Sequence, residues 1–296
     1  MNEALVETPG VPARRPGIHV RRPDFDLKTD VPRYWCRNEP FATHILDALS
    51  SVFPVGEAFF VRAVMHYADR VKDDPKLRAE VRAFAGQEGR HRYEHDRHME
   101  MLVEHGYTGL ATRNRIVDKM LHWSNKWQPV TSLTATASVE HLTAILARAL
   151  LNDDRMVYGM DPRMKQLWQW HALEEAEHKA VAYDVLLRVS SSGLLRNYML
   201  AVNTLMLFVE TLDRAVYMLW KDGELFKRKT WSDGWRFLFA PGCAATATDA
   251  YQPRGILRDL GPEYRAWYRH GFHPAQHDDS QLITRYEQRF AEYVTG

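Results

Sequence analysis

The chain of 296 residues has only two cysteines, Cys36 and Cys243, far apart and in no Cys-x-x-Cys pair. That scarcity excludes a disulfide framework or a zinc ribbon and fits a reducing cytoplasm, the expected location. Excess charge is also missing. The formal net charge is +1, so no global field draws the chain to nucleic acid or to an anionic membrane. The start, Met-Asn-Glu-Ala, lacks the basic-then-apolar pattern of a signal peptide. Strand-like alternation is absent, which leaves an all-α reading. Uninterrupted apolar runs are scarce too. The longest candidate, Leu194 to Trp220, is broken by Arg196, Asn197, Asn203, Glu210, Asp213 and Arg214. A transmembrane span is therefore excluded for it, and a buried or interface helix is expected. An interface helix of this kind would serve a homodimer or peripheral contact with a membrane surface.

The composition is that of a globular chain with ample core material, 45% apolar and 26% charged. Three segments are expected. Residues 1–30, rich in Pro and Arg, form an extended N-terminal arm laid over the body or a neighbouring subunit. Residues 31–222 form a helical bundle. Residues 223–296 form a loop-rich C-terminal extension that ends in a helix over about 281–293. Within the bundle, the pattern predicts a helix over 41–53 ended by Pro54, and a second over 55–71. Further helices are predicted over 75–104, 111–126 and 130–151, the last capped by Thr131 or Ser132. A helix over 162–189 and another over 194–220 complete the set.

Six residues then fall into one pattern written twice. Glu57 is followed by Glu88 and His91, and Glu140 by Glu175 and His178. Each half supplies a lone Glu and a Glu-x-x-His, the ligand set of a two-metal carboxylate site in a four-helix bundle. The spacing supports it. In a hairpin turning near residue 74, Glu57 lies 17 residues before the turn and Glu88 lies 14 after it. The offset amounts to about 4.5 Å along the axis. Around a second turn near residue 158, Glu140 and Glu175 lie 18 before and 17 after. His171, Glu175 and His178 step by four and then three, so they share one stripe and His171 becomes a seventh ligand. Glu175 is preferred over Glu174 because it keeps both spacings. Gln87 and Glu174, each just before a ligating Glu, are placed to hydrogen-bond the ligand imidazoles. His95, four after His91, is a further candidate for the same cavity. His66, His98, His105 and His122 read as surface or satisfied side chains, and His141 should face elsewhere. His270, His273 and His277, with Asp278 and Asp279, read as a polar loop.

The duplicated plan resembles the ferritin-like di-iron superfamily, which implies a ferritin-like four-helix bundle with additional helices. Its form here, with Gln87-Glu88-x-x-His91 and His171-x-x-x-Glu175-x-x-His178, looks like the di-iron N-oxygenases of aryl amines, which use a third histidine where His171 stands. Those enzymes usually carry Asp before each ligating Glu; this chain departs with Gln87 and Glu174. More of the chain is similar to a bacterial family labelled predicted metal-dependent hydrolase. The similarity is carried by Phe53-Pro54-x-Gly56-Glu57-x-Phe59-Phe60, by Gln87-Glu88-x-x-His91 and by Trp170-His171-x-x-Glu174-Glu175-x-Glu177-His178-Lys179. The late Gly271-Phe272-His273-Pro274 adds to it.

The first expectation is an O2-activating di-iron oxidoreductase. It would hold two Fe ions, with Mn or a mixed Fe/Mn pair as variants. It would take an apolar small-molecule substrate, O2 and an external electron donor, and need no catalytic side chain beyond the metal centre. The alternative is a dimetal hydrolase of an ester or amide, ranked second because such sites tend to carry more Asp and His on loops. A storage or structural metal is a third reading, which the length of the chain and its unequal halves disfavour.

Overall fold

The computed structural model describes residues 15–27, 30–153, 156–242 and 255–294. Helix accounts for 71% of the described residues. Among the described residues, strand pairing is limited to two isolated bridges, Arg21 with Val294 and Cys36 with Met160. The fold is all-α. In chain order the helices are α1 (Pro40–Met65), α2 (Pro75–Glu104), α3 (Gly109–Trp127), α4 (Pro129–Asn152), α5 (Pro162–His178), α6 (Val181–Leu187), α7 (Gly193–Lys221), α8 (Arg228–Phe239), α9 (Gly261–Ala266) and α10 (Ser280–Glu287). Hairpins α1–α2 and α4–α5 form the bundle, α3 bridges α1 and α4, and α7 packs across the same two helices.

Helix starts follow local chemistry. Pro75, Pro129 and Pro162 each open a helix, where the missing N–H costs nothing. Asp74 accepts a hydrogen bond from Leu77 N, and Asp161 accepts one from Arg163 N. The expected cap at Thr131 or Ser132 is not used. The cap position of α4 is Gln128, and Ser132 lies inside the helix with its hydroxyl on Ser124.

Three other boundaries differ from the sequence reading. Pro54 does not end a helix, because α1 runs through it. The side chains around it, Phe53, Phe59 and Phe60, are buried, and Asn114 Nδ2 donates to Ser51 O beside the proline. Packing offsets the bond to Ser50 O that the ring removes. The predicted helix over 162–189 is divided at Lys179 and Ala180, where Lys179 Nζ turns to His277 O and Asp279. Residues 228–239, read as loop, are helical. A Cβ at Gly234 would fall 2.5 Å from Phe41 Cγ, so this glycine is the point where α8 meets α1.

Two apolar clusters make the core. One contains Phe25, Trp35, Trp170, Phe237 and Tyr286, so residues from both ends of the chain share the core with the bundle. The other contains Phe59, Phe84, Leu133, Val185 and Trp267. A polar layer lies between them. On α1, Glu57 falls between Phe53 of the first cluster and Phe59 of the second. On α2, Glu88 and His91 fall between Phe84 of the second and Met99 of the first. Among the described residues, α1 is long and apolar enough to cross a membrane by length and composition, and it is mostly buried in the bundle. α7 leaves Leu194, Tyr198, Leu205 and Phe208 exposed.

Candidate metal centre

The polar layer brings the predicted residues together. Glu57, His91 and His171, from α1, α2 and α5, each place a ligand atom within 4.8 Å of the others, and so do Glu88, Glu175 and His178. Glu140, from α4, joins the second group through His178, its Oε2 lying 3.1 Å from His178 Nε2. The groups are adjacent. His91 Nδ1 is 3.6 Å from Glu175 Oε1, and His171 Nε2 is 3.3 Å from that same oxygen. His178 Nε2 is 3.2 Å from Glu88 Oε1. All seven side chains are buried.

These contacts are close, yet they are not hydrogen bonds. Both oxygens of Glu57, Glu88 and Glu140, both ring nitrogens of His91, and His178 Nε2 have no hydrogen-bond partner. A native interior rarely leaves such groups unsatisfied, and each costs about 1–3 kcal/mol or more when it does. The Glu57, Glu88 and Glu140 oxygens, His91 Nδ1 and His178 Nε2 come together from four helices, while His91 Nε2 faces Glu174, which is the arrangement of ligands around cations. The electrostatics agree. Burial, then the neighbouring carboxylates, push Glu57 and Glu88 far above the usual carboxyl range. Burial pushes Glu140 up to about 7. Burial also acts on Glu175 and His178, but their mutual attraction outweighs it, holding the Glu175 carboxyl low and the His178 ring high. Cations at the centre would offset the cost of ionising these buried carboxyls. Carboxylates with imidazoles are donors suited to divalent ions, and the residues therefore fit a pair of them.

The residues around the ligands are arranged reciprocally. Gln87, just before Glu88 on α2, reaches across to α5, with its Oε1 2.8 Å from His178 Nδ1. Glu174, just before Glu175 on α5, reaches back to α2, with its Oε2 3.0 Å from His91 Nε2. Gln87 Nε2 donates to Glu177 and to His19 O. Arg21, fully buried, donates to Glu177 at 2.6 and 3.0 Å and to Glu174 at 3.3 Å. The N-terminal segment thus closes the outer side of the centre. The Thr143 hydroxyl donates to Glu175 Oε2.

Three contributions escape a reading of ligand spacing. Thr143 and Arg21 carry no motif. Phe53 stacks on His171, ring centroids 4.8 Å apart and planes 7° from parallel. His95 is not in either ligand group; it hydrogen-bonds His171 instead. His98 is buried and bonded to Ser50 and Asp47, and the spacing of His91, His95 and His98 by four and three was the available signal. His141 faces away, stacked on Trp267. His273 caps a short turn and bonds Asp184.

A narrow cleft of about 80 Å³, open to solvent at its mouth, reaches the centre at His171, Glu175 and Thr143. Its other walls are apolar, among them Leu46, Leu49, Phe53, Leu146, Leu150 and Ile256.

Over residues 19–278 the chain matches the family described as predicted metal-dependent hydrolase. No curated protein matches it, and no solved structure does. The family match overturns the expectation of an oxygen-activating di-iron oxidoreductase. The physical reason is plain. Paired carboxylates and imidazoles hold redox-inert divalent ions as readily as iron, so the ligand types never discriminated between the two chemistries. What stands is a set of buried His and Glu groups for divalent metal, without assignment to iron. The chain belongs to the predicted metal-dependent hydrolase family, whose description is that of a metal-dependent enzyme.

Proposed function

We propose that the protein is a dimetal hydrolase that cleaves an ester or amide bearing an apolar group. The observation that carries this reading is the opening of an apolar cleft onto the ligand cluster at His171 and Glu175. Glu57, His91 and His171 would hold one divalent ion, and Glu88, Glu175, His178 and Glu140 a second. Bound ions would supply a Lewis acid for the substrate carbonyl and acidify a water, lowering its pKa toward ~7.

The chain's own residues do the rest. Gln87 and Glu174 orient the rings of His178 and His91 so that one nitrogen of each faces the centre. Thr143 holds the Glu175 carboxylate from its Oε2 side. Phe53 and the leucines of the cleft exclude water and seat the apolar part of the substrate. That places the scissile group at the polar end, where His171, Glu175 and Thr143 line the cleft.

The test is hydrolysis by protein stripped with chelator and reloaded with zinc or manganese under nitrogen, using p-nitrophenyl esters and anilides from acetyl to octanoyl. Turnover should return with metal and rise with chain length, and Glu57→Ala and Glu140→Ala should lose both metal and turnover. Full metal loading with no cleavage of any ester or amide would overturn the proposal.

A further inference from the structure

On the side of His171 away from Glu175, buried hydrogen bonds run without a break to Asp47. His171 Nδ1 lies 2.9 Å from His95 Nε2. His95 Nδ1 lies 2.7 Å from Ser50 Oγ, which is 2.6 Å from His98 Nδ1. His98 Nε2 lies 3.1 Å from Asp47 Oδ1. Asp47 and Ser50 are three apart on α1, and His95 and His98 are three apart on α2, so two facing stripes build the chain. None of these four side chains is more than 1% exposed. The Phe53 ring packs against both His95 and His171, with centroids 4.8 Å from each.

The polarity of this chain is set at its end. An ionised carboxylate only accepts. Asp47 already accepts from Trp35 Nε1 at 2.8 Å, and burial, which pushes its carboxyl up, is outweighed by the hydrogen bonds from His44 and His98. His98 therefore donates from Nε2. With one proton per ring, its Nδ1 accepts from the Ser50 hydroxyl. Ser50 Oγ then accepts from His95 Nδ1–H, and His95 Nε2 accepts from His171 Nδ1–H. The proton of His171 is fixed on Nδ1, and the lone pair remains on Nε2, the atom that faces Glu175. Which imidazole nitrogen carries the proton is decided by the bond the other one makes. Here that decision is relayed across three residues.

We propose that Asp47 is a positioning residue for the ligand His171. Through His98, Ser50 and His95 it selects the tautomer whose Nε2 lone pair can take a metal ion. The metal half of this proposal rests on His171 being a ligand; the direction of the hydrogen bonds does not.

The experiment uses full-length protein with ring-labelled 15N histidine, read by two-bond nitrogen–proton correlation, with His171→Ala to assign the His171 signals. In parallel, zinc affinity is measured by chelator competition. In the wild type, His171 should show a protonated Nδ1 and an unprotonated Nε2. Ser50→Ala and Asp47→Asn should lose that single tautomer and weaken zinc binding by about 10–100-fold, the range for outer partners of a metal ligand. Ser50→Thr, which keeps the hydroxyl, should restore both. A purely structural role would change the urea midpoint and leave the tautomer alone. A proton on His171 Nε2 in the wild type, or an unchanged tautomer and zinc affinity in Ser50→Ala, would overturn the proposal. Wild-type zinc affinity in His171→Ala would instead remove His171 from the ligand set, and the metal half of the proposal with it, while the tautomer measurement still decides the direction of the chain.

Discussion

Replacing Arg21 by Met should be among the most damaging single changes outside the ligands themselves. The guanidinium is 1% exposed and makes two hydrogen bonds to Glu177 and one to Glu174. Methionine fills much of the volume, so the cost comes chiefly from charge. Two buried carboxylates lose the cation that faces them, and breaking a buried pair from one side costs about 3–5 kcal/mol. At roughly 2 °C per kcal/mol for a chain of this size, the midpoint of thermal unfolding should fall by ~6–10 °C. The assay is calorimetry on the wild type, Arg21→Met and the double variant Arg21→Met with Glu177→Gln. The double variant should recover part of the loss, because it removes one of the abandoned charges. A fall of less than 2 °C in Arg21→Met, or a double variant worse than the sum of its parts, would refute the argument.

Other expectations follow from the same geometry. His44 sits between Asp47 and Asp222, with the Tyr107 hydroxyl and the Tyr34 ring beside it. Burial pushes its ring down, but the hydrogen bonds to Asp222 and Asp47 outweigh that and raise it above 6.5. Asp222 is held down to about 2 because bonds from His44 and Tyr107 outweigh its own burial. The raised histidine contributes stability that is present below its unfolded pKa and lost as pH rises through the folded one. The lowered carboxylate contributes stability that is present above its unfolded pKa and lost as pH falls toward 2. The deficit of Asp222→Asn in urea unfolding should therefore be largest from about pH 4 to 6.5 and shrink on either side; an equal deficit at pH 5 and pH 9 would rule this out. Thr143→Val, which removes the donor to Glu175, should weaken zinc binding about tenfold in chelator competition with the helical circular dichroism unchanged. Phe53→Ala should lower stability by about 3–5 kcal/mol in urea titration, since it leaves the faces of His95 and His171 uncovered; a loss under 1 kcal/mol would mean that the bundle collapses onto the gap.

The convergence of these side chains was legible because helical periodicity converts spacing directly into direction. Glu88 with His91, and His171 with Glu175 and His178, could share a face in only one way. The hairpin arithmetic placed Glu57 and Glu140 at matching heights for the same reason. Pro54 misled because a propensity argument sees the lost N–H and not the packing around Phe53 where α1 continues through it. The helix over 228–239 was missed for a similar reason, since the ring of Phe41 that meets Gly234 is invisible from that segment. The chain from His171 to Asp47 was out of reach because Ser50 and Asp47 have no metal-site signature. They acquire meaning only when α1 faces α2. The chemistry was the weakest inference, since identical ligands serve redox and non-redox ions alike.

Arg21 also bears on the order in which the molecule can be completed. It is made well before its partners Glu174 and Glu177, which lie 153 and 156 positions later. While the chain is being synthesised, the N-terminal segment must wait for most of the bundle before it has anything to bind. The α1–α2 hairpin, emerging with Glu57, Glu88 and His91 but without α4 and α5, holds fewer than half of the ligands. Capture of metal at the proposed centre would thus be deferred until α5 has formed, when the segment carrying Arg21 can close over it.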